Sequence, residues 1–292
     1  MKRLLVGSDF SERSERALLR ALRLAMASGG AVRVLYSTDE ATDGPDTPSI
    51  QHRLLTEARI MAEELGATAV EISARVRSDF PPNAILGEAE AFDADLLLLG
   101  GHGEPRFRDA LFGTTATHVA QHSDRALLVV QDAGGEDYAQ VMIAIDDPLS
   151  ASPLLSTTFA VAPNADVVAV HAFSPSFGEA LRGATEIGRQ ELRLERQIED
   201  TVSAAAAGDA GQNTRIELHT VVETGDVLTV LMKAYEALQP GLLAIGTRER
   251  ATFLGSHAVD TLFWCPHDVL VVPDRARALP REPSTPAAAI GE

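Results

Sequence analysis

A chain of 292 residues with 45% hydrophobic side chains can fill one large core or two of ordinary size, and 5% aromatics makes that core an aliphatic one. Its formal charge of −17, from 42 acidic and 25 basic residues, opposes nucleic acid and anionic lipid, so neither is an expected partner. No apolar run reaches the ~18–20 residues that cross a bilayer, the N-terminus lacks a secretory pattern, and the single cysteine, Cys265, can form no internal disulfide; the expected location is the cytoplasm.

Read from the start, turn-bounded apolar runs predict strands over residues 3–9 (RLLVGSD), 31–37 (AVRVLYS), 68–76 (TAVEISARV), 95–100 (DLLLLG) and 126–131 (ALLVVQ). Amphipathic stretches separate them. In the first, Leu18, Leu22 and Ala25 share one helical face, with arginines and glutamates elsewhere. Residues 38–49, TDEATDGPDTPS, fit no element and read as an acidic excursion. The segment GGEDYA over 134–139 reads as a linker.

The order then repeats. Strands are predicted over 141–146 (VMIAID), 166–173 (DVVAVHAF), 215–222 (RIELHTVV), 242–246 (LLAIG) and 269–273 (VLVVP). The two copies match best at their ends, where RALLVVQD parallels HDVLVVPD. Strands alternating with helices predict the α/β class, as two tandem, doubly wound, five-stranded and mainly parallel sheets. The expected domains are 1–133 and 140–274, joined by the linker, with a disordered tail over 275–292.

One loop is too long for a connector. After the leucines of LLLLGGHGEPRFRDALFGTTATHVA the chain runs through a charged, glycine-marked segment before its next helix, although strand-to-helix loops usually take about 2–6 residues. In open parallel sheets, ligands bind beyond the carboxyl ends of the strands, where such a loop begins. Gly100 and Gly103 remove side chains where backbone amides would approach phosphate oxygens. Gly113 and Thr114 open the next helix, whose free N–H groups form a second anion site. The loop is therefore expected to wrap a polyphosphate.

Gly100-x2-Gly103-x9-Gly113-Thr114 resembles the nucleotide-binding signature of universal stress proteins. An aspartate ending the first strand, Asp9 in LLVGSDFS, and the closing ALLVV fit the same family, and the resemblance covers nearly the whole chain as a tandem. It implies an adenine nucleotide alpha-hydrolase-like fold and binding of ATP or a related adenine nucleotide, with Mg2+, by the first copy. Ser8 and Asp9 would receive the adenine or ribose edge, and Ser37 would line the base pocket. Leu99 and Gly100 would face the ribose and first phosphate. Gly103 would let the loop close, and Gly113, Thr114 and Thr115 would hold the distal phosphates. Arg106 and Arg108 are either counter-charges or solvated loop residues, and Glu104 departs from what a phosphate loop wants beside Gly103. Asp9 has an alternative reading as a helix N-cap before SERSERALL.

The second copy, GTRERATFLGSH, keeps Gly246 and Gly255-Ser256 but has Glu249 in place of the middle glycine. Eight residues separate its flanking glycines against twelve in the first copy. It reads as degenerate, with Arg248 and Arg250 as candidates for some other anion. Neither lysine, Lys2 or Lys233, follows a glycine, so a P-loop is excluded, and there is no Gly-x-Ser-x-Gly elbow. His118 and His122, one turn apart, read as an exposed helix face sooner than a metal pair. His102 is a lone loop histidine, Cys265 a packing residue, and Asp226 a helix cap.

The expected function is that of a nucleotide-binding regulatory protein with slow or no hydrolysis and an unknown protein partner. A nucleotide-hydrolysing or adenylyl-transferring enzyme on the same fold and a structural dimerisation module are the alternatives. Family members pair through their final strands. Here those strands lie in one chain, which implies an internal pseudo-dimer with ALLVV and VLVVP antiparallel and Val129 near Val271, and leaves a homodimer of the whole chain open.

Overall fold

The computed structural model, which describes residues 1–38, 47–101, 114–131, 137–173, 184–209, 217–247 and 265–276, draws the apolar runs into a single ten-stranded sheet. The strands are β1 (Arg3–Ser8), β2 (Ala31–Thr38), β3 (Glu71–Ser78), β4 (Leu96–Gly100) and β5 (Ala126–Val130), then β6 (Gln140–Ala144), β7 (Asp166–Phe173), β8 (Leu218–Thr224), β9 (Leu242–Thr247) and β10 (Asp268–Pro273). Their order is β3-β2-β1-β4-β5-β10-β9-β6-β7-β8. Every neighbouring pair is parallel except β5 and β10, which run antiparallel with Val129 opposite Val269, Leu128 opposite Leu270 and Leu127 opposite Val271. The chain thus folds as the expected internal pseudo-dimer. Val129 and Val271 are diagonal neighbours across the seam, and Val269 is the residue facing Val129.

The described helices are α1 (Glu12–Ser28), α2 (Thr47–Glu64), α3 (Pro81–Phe92), α4 (Thr114–His122), α5 (Ser152–Val161), α6 (Ala184–Asp209) and α7 (Val227–Leu238), with a short 3-10 turn over Pro148–Ser150. Both faces of the sheet are covered, which is why its strands read as continuous apolar runs. Leu4, Leu96, Leu128, Leu270 and Leu242 belong to a core under α1, α2, α5 and α6. Leu5, Leu97, Leu127, Val269 and Leu243 belong to the opposite core under α3, α4 and α7. Each core runs unbroken across the β5–β10 seam, so neither copy ends in an open edge there.

Local chemistry sets the helix ends that matter for the site. Ser11 caps α1 with its hydroxyl toward the Ser14 amide at 3.4 Å, Glu12 and Glu15 lie in the first turn, and Gly29 closes the helix at φ 62°. Leu18, Leu22 and Ala25 are buried along α1, as their spacing predicts.

Three expectations need correction. The third strand begins at Glu71 and not at residue 68, because α2 ends near Gly66 (φ 71°) and the chain turns through Ala67 and Val70, joined at 3.1 Å, before it can extend. The acidic stretch from residue 38 is in part regular: Thr38 closes β2, and α2 starts at Thr47 with Pro48 in its first turn, where a missing N–H is tolerated. The linker is more than a connector, because Tyr138 is buried and donates its hydroxyl to Asp268 at 2.6 Å. The remaining strand boundaries shift by a few residues, and Arg215 and Ile216 lie outside the described residues.

Candidate nucleotide site

Strand order reverses between β1 and β4, which are adjacent although two strands intervene in sequence. A crevice is expected at the carboxyl ends of such a pair, since the connections leave on opposite faces. A cavity of about 290 Å³ opens there. Gly7 and Ser8 from β1, Leu35 and Ser37 from β2, and Leu99 and Gly100 from β4 form its floor. Thr115 and Ala116 close it from α4, and Pro81 and Ile85 from α3.

Asp9 lies just past β1 on the rim. Its carboxylate accepts from the Ser11 amide at 3.1 Å and from Ser11 Oγ at 2.5 Å. The α1 cap is therefore Ser11, and Asp9 is not the N-cap that its position allowed. Desolvation pushes the Asp9 carboxyl up, but the hydrogen bonds from Ser11, with those from Ser14 and its own amide, outweigh it and hold the group below its ordinary 3.8. These bonds favour the ionised form. Their contribution to stability is complete above the ordinary value and is lost as pH falls through the lowered one. An NMR titration of the Asp9 carboxyl carbon should give a midpoint below 3.8, and Ser11→Ala should raise it. A midpoint at or above 3.8 in the unaltered protein would contradict this geometry.

Serines continue the polar wall: Ser8 Oγ and Ser14 Oγ lie 3.4 Å apart, and the Phe10 amide donates to Ser8 Oγ at 3.3 Å. Phe10 has a left-handed φ of 61°, unusual for a bulky side chain. Its ring is held by Tyr36 at 5.2 Å and by the Arg53 guanidinium at 4.2 Å, so packing fixes the turn that folds Asp9 onto Ser11. Ser37 Oγ donates to the Asp79 carbonyl, which ties the end of β2 to the loop before α3.

The cavity thus gathers Ser8, Asp9, Ser37, Leu99, Gly100 and Thr115. Thr114 opens α4 at the edge of the described chain, while Gly103 and Gly113 lie outside the described residues, as do His102, Glu104, Arg106 and Arg108. Sequence reasoning missed Ser11, Arg13 and Ser14 as lining residues. The signal was present in SERSER, directly behind Asp9, but it reads equally as an exposed first turn. Pro81 and Ile85 carried no signal, because only the crossover to β4 brings α3 over the crevice.

Gly100 has a different reason for being glycine from the one its motif suggests. A Cβ there would lie 2.5 Å from the carbonyl carbon and oxygen of Arg13, so the first turn of α1 packs directly on the end of β4. Gly100 lines the cavity and also admits the helix.

The second copy keeps the glycine and the aspartate but loses both serines. Matching strand registers place Ile145 where the first copy has Ser8, Ala172 where it has Ser37, Gly246 where it has Gly100, and Asp146 where it has Asp9. A small cavity of about 50 Å³ lies at the ends of β6, β9 and β10, walled by Asp146, Asp147 and the start of α5. The 3-10 turn fills its approach, with Asp147 Oδ1 accepting from the Leu149 amide at 3.0 Å. Residues 248–264, including Arg248, Glu249, Arg250, Gly255 and Ser256, lie outside the described residues.

The lesser candidates resolve simply. His118 and His122 stack at 4.1 Å, with His122 Nδ1 2.8 Å from the His118 carbonyl oxygen. Among the described residues no group of three or more His, Cys, Asp or Glu could hold a metal. Cys265 is buried, and Asp226 caps α7 through the Thr229 amide at 3.1 Å. Among the described residues no helix is long and apolar enough to cross a membrane.

Comparison with known proteins agrees with this architecture. The model of the Universal stress protein family matches residues 1–131 and again 137–273. The stress response protein NhaX of Bacillus subtilis (strain 168) is 23% identical over 164 residues, spanning 44% of this chain and 97% of that protein. A universal stress protein from Archaeoglobus fulgidus DSM 4304 superposes with a TM-score of 0.65 at 18% identity, covering 93% of this chain and 98% of its own. A universal stress protein solved in complex with cAMP is 29% identical over 44% of this chain and 95% of its own, with a TM-score of 0.37.

Proposed function

From the premise that this chain belongs to the universal stress protein family, with two such domains in tandem, we propose that its first domain binds ATP with Mg2+ and that its second is scaffold or readout. The observation that carries the proposal is the 290 Å³ cavity at the β1–β4 reversal, with Ser8 and Ser37 on its floor where the second copy has Ile145 and Ala172. Its volume is near the lower bound of ordinary ligand pockets, roughly 300 Å³.

The donor set suits an adenine nucleotide. Asp9, ionised at neutral pH, accepts from the exocyclic amine or a ribose hydroxyl. Ser37 and Leu35 flank the base. Ser11 and Ser14 at the start of α1, with Thr115 on α4, offer hydroxyls toward sugar and phosphate, and Arg13 supplies positive charge. Mg2+ would travel with the phosphates.

Hydrolysis is expected to be slow or absent. A general base works best with a pKa near the operating pH, and the Asp9 carboxyl is held in the opposite direction. Binding without turnover fits a regulatory protein that reports nucleotide occupancy through its contacts.

Titration calorimetry with ATP and Mg2+ should give one site per chain. Steady-state turnover should fall below the usual enzyme range of about 1–10³ s⁻¹. Two equivalent sites, or none, would overturn the assignment. Turnover inside that range would make the protein an enzyme.

A further inference from the structure

The two copies open their third helices differently. In the second, Gly225-Asp226 precedes α7, and Asp226 accepts from the Thr229 amide and the Thr229 hydroxyl. In the first, the corresponding place before α3 is taken by Phe80, which makes no capping hydrogen bond. The neighbouring Asp79 carboxylate accepts from the Phe80 amide at 2.7 Å. The first copy therefore forgoes a stabilising cap for an aromatic ring that is 57% exposed. Burial does not explain the exchange, because so exposed a ring recovers little of its transfer free energy.

Its location does. Ser37, on the cavity floor, donates its hydroxyl to the Asp79 carbonyl, and Pro81, next after Phe80, is a cavity wall. On the other side the ring meets His118 of α4 edge-on, with centroids 6.4 Å apart and planes at 85°. Phe80 does not itself line the cavity; it stands between Asp79, which Ser37 holds, and the wall residue Pro81, with its ring against His118 of α4.

We propose that Phe80 is the stacking platform for the base of the bound nucleotide. The inference rests on the reading that a purine lies between Asp9 and Ser37. A flat π-system there finds hydrogen-bonding partners on its edge at Asp9 and an aromatic face at Phe80. The ring needs exposure in the empty site so that the base can cover it. Stacking is sequence-tolerant, so Phe80 adds affinity for nucleobases in general while Asp9 selects among them.

The test uses the full chain with ATP and Mg2+ as probe and two substitutions. Phe80→Asn restores a capping side chain and removes the ring. It should raise the melting temperature by about 2 °C while weakening ATP binding about tenfold. Phe80→Trp should keep affinity within about twofold, and its added fluorescence should be quenched as ATP binds. An unchanged affinity in Phe80→Asn, or an added tryptophan signal that ignores saturating ATP, would overturn the proposal and leave nucleotide binding intact. A fall in melting temperature on Phe80→Asn would mark the ring as a packing element, also against it. An unaltered chain that binds no ATP would remove the nucleotide reading, and this proposal with it.

Discussion

Gly100→Ala is expected to destabilise the fold by about 3 kcal/mol and to weaken nucleotide binding, whereas Gly246→Ala should be neutral or stabilising by about 0.5 kcal/mol. The two glycines hold the same place in the two copies, so sequence alone would rank them together. The difference is what a methyl group would meet. At Gly100 it would sit 2.5 Å from the Arg13 carbonyl and 2.8 Å from Arg13 Cβ, and backbone cannot swing aside as a side-chain end can. Either α1 lifts from the sheet or β4 shifts, and both movements displace Ser11, Arg13 and Ser14 at the cavity wall. At Gly246 the nearest atom is Leu154 Cδ2 at 3.8 Å, an ordinary contact. Chemical denaturation of the two variants reads the stability, and calorimetry reads the binding. Equal losses at both positions would refute the packing account of Gly100.

Replacing Asp268 with alanine is expected to cost about 3–5 kcal/mol. Asp268 is fully buried at the start of β10, on the seam between the copies. Its carboxylate accepts from the Gln131 amide at 2.8 Å and the Tyr138 hydroxyl at 2.6 Å, and Arg20 Nη2 lies 3.6 Å away. The Arg20 guanidinium also covers the Tyr138 ring at 4.2 Å, and Gln131 Nε2 donates to the Cys265 carbonyl at 2.6 Å. One buried anion thus ties α1 of the first copy, the segment after β5, the linker and β10 of the second copy. Removing it takes the shared acceptor from the Gln131 amide, the Tyr138 hydroxyl and the Arg20 guanidinium, and each such loss is expensive in a low-dielectric interior. Tyr138→Phe removes a single charge-assisted bond and should cost about 2 kcal/mol. The measurement is the denaturant midpoint with the slope unchanged. A loss under about 1 kcal/mol for Asp268→Ala would mean the seam is held by its apolar strands alone.

Much of the fold was legible because burial leaves a local trace. Runs such as LLLLG and ALLVV mark strands covered on both faces, and their recurrence in step betrays the duplication. The antiparallel seam was expected from the family resemblance, whose members pair through their final strands, and two short, strongly apolar closing strands that need partners agreed with it. Boundaries were harder. The chain turning through residues 67–70 looks as strand-like in composition as the strand it precedes, and only hydrogen bonding separates them.

The site was legible in part. Asp9, Ser37, Leu99 and Gly100 sit at strand ends, and a strand end in a parallel sheet points to the crevice whatever else the chain does. Arg13, Pro81 and Phe80 sit on helix starts, and a helix start announces nothing about which strand it overhangs.

The sequence by itself determined the class of fold and the tandem, since periodicity and turn chemistry are properties of neighbouring residues, while the seam and the strand-end half of the pocket came with the family resemblance. Only the tertiary structure decided that Gly100 must admit the Arg13 backbone, that Tyr138 leaves the linker to reach Asp268, and that Phe80 meets His118 next to a wall of the cavity. Each of these is a contact between segments far apart in the chain. Their meeting depends on the strand order and the side on which each crossover returns, and no short stretch of sequence carries either.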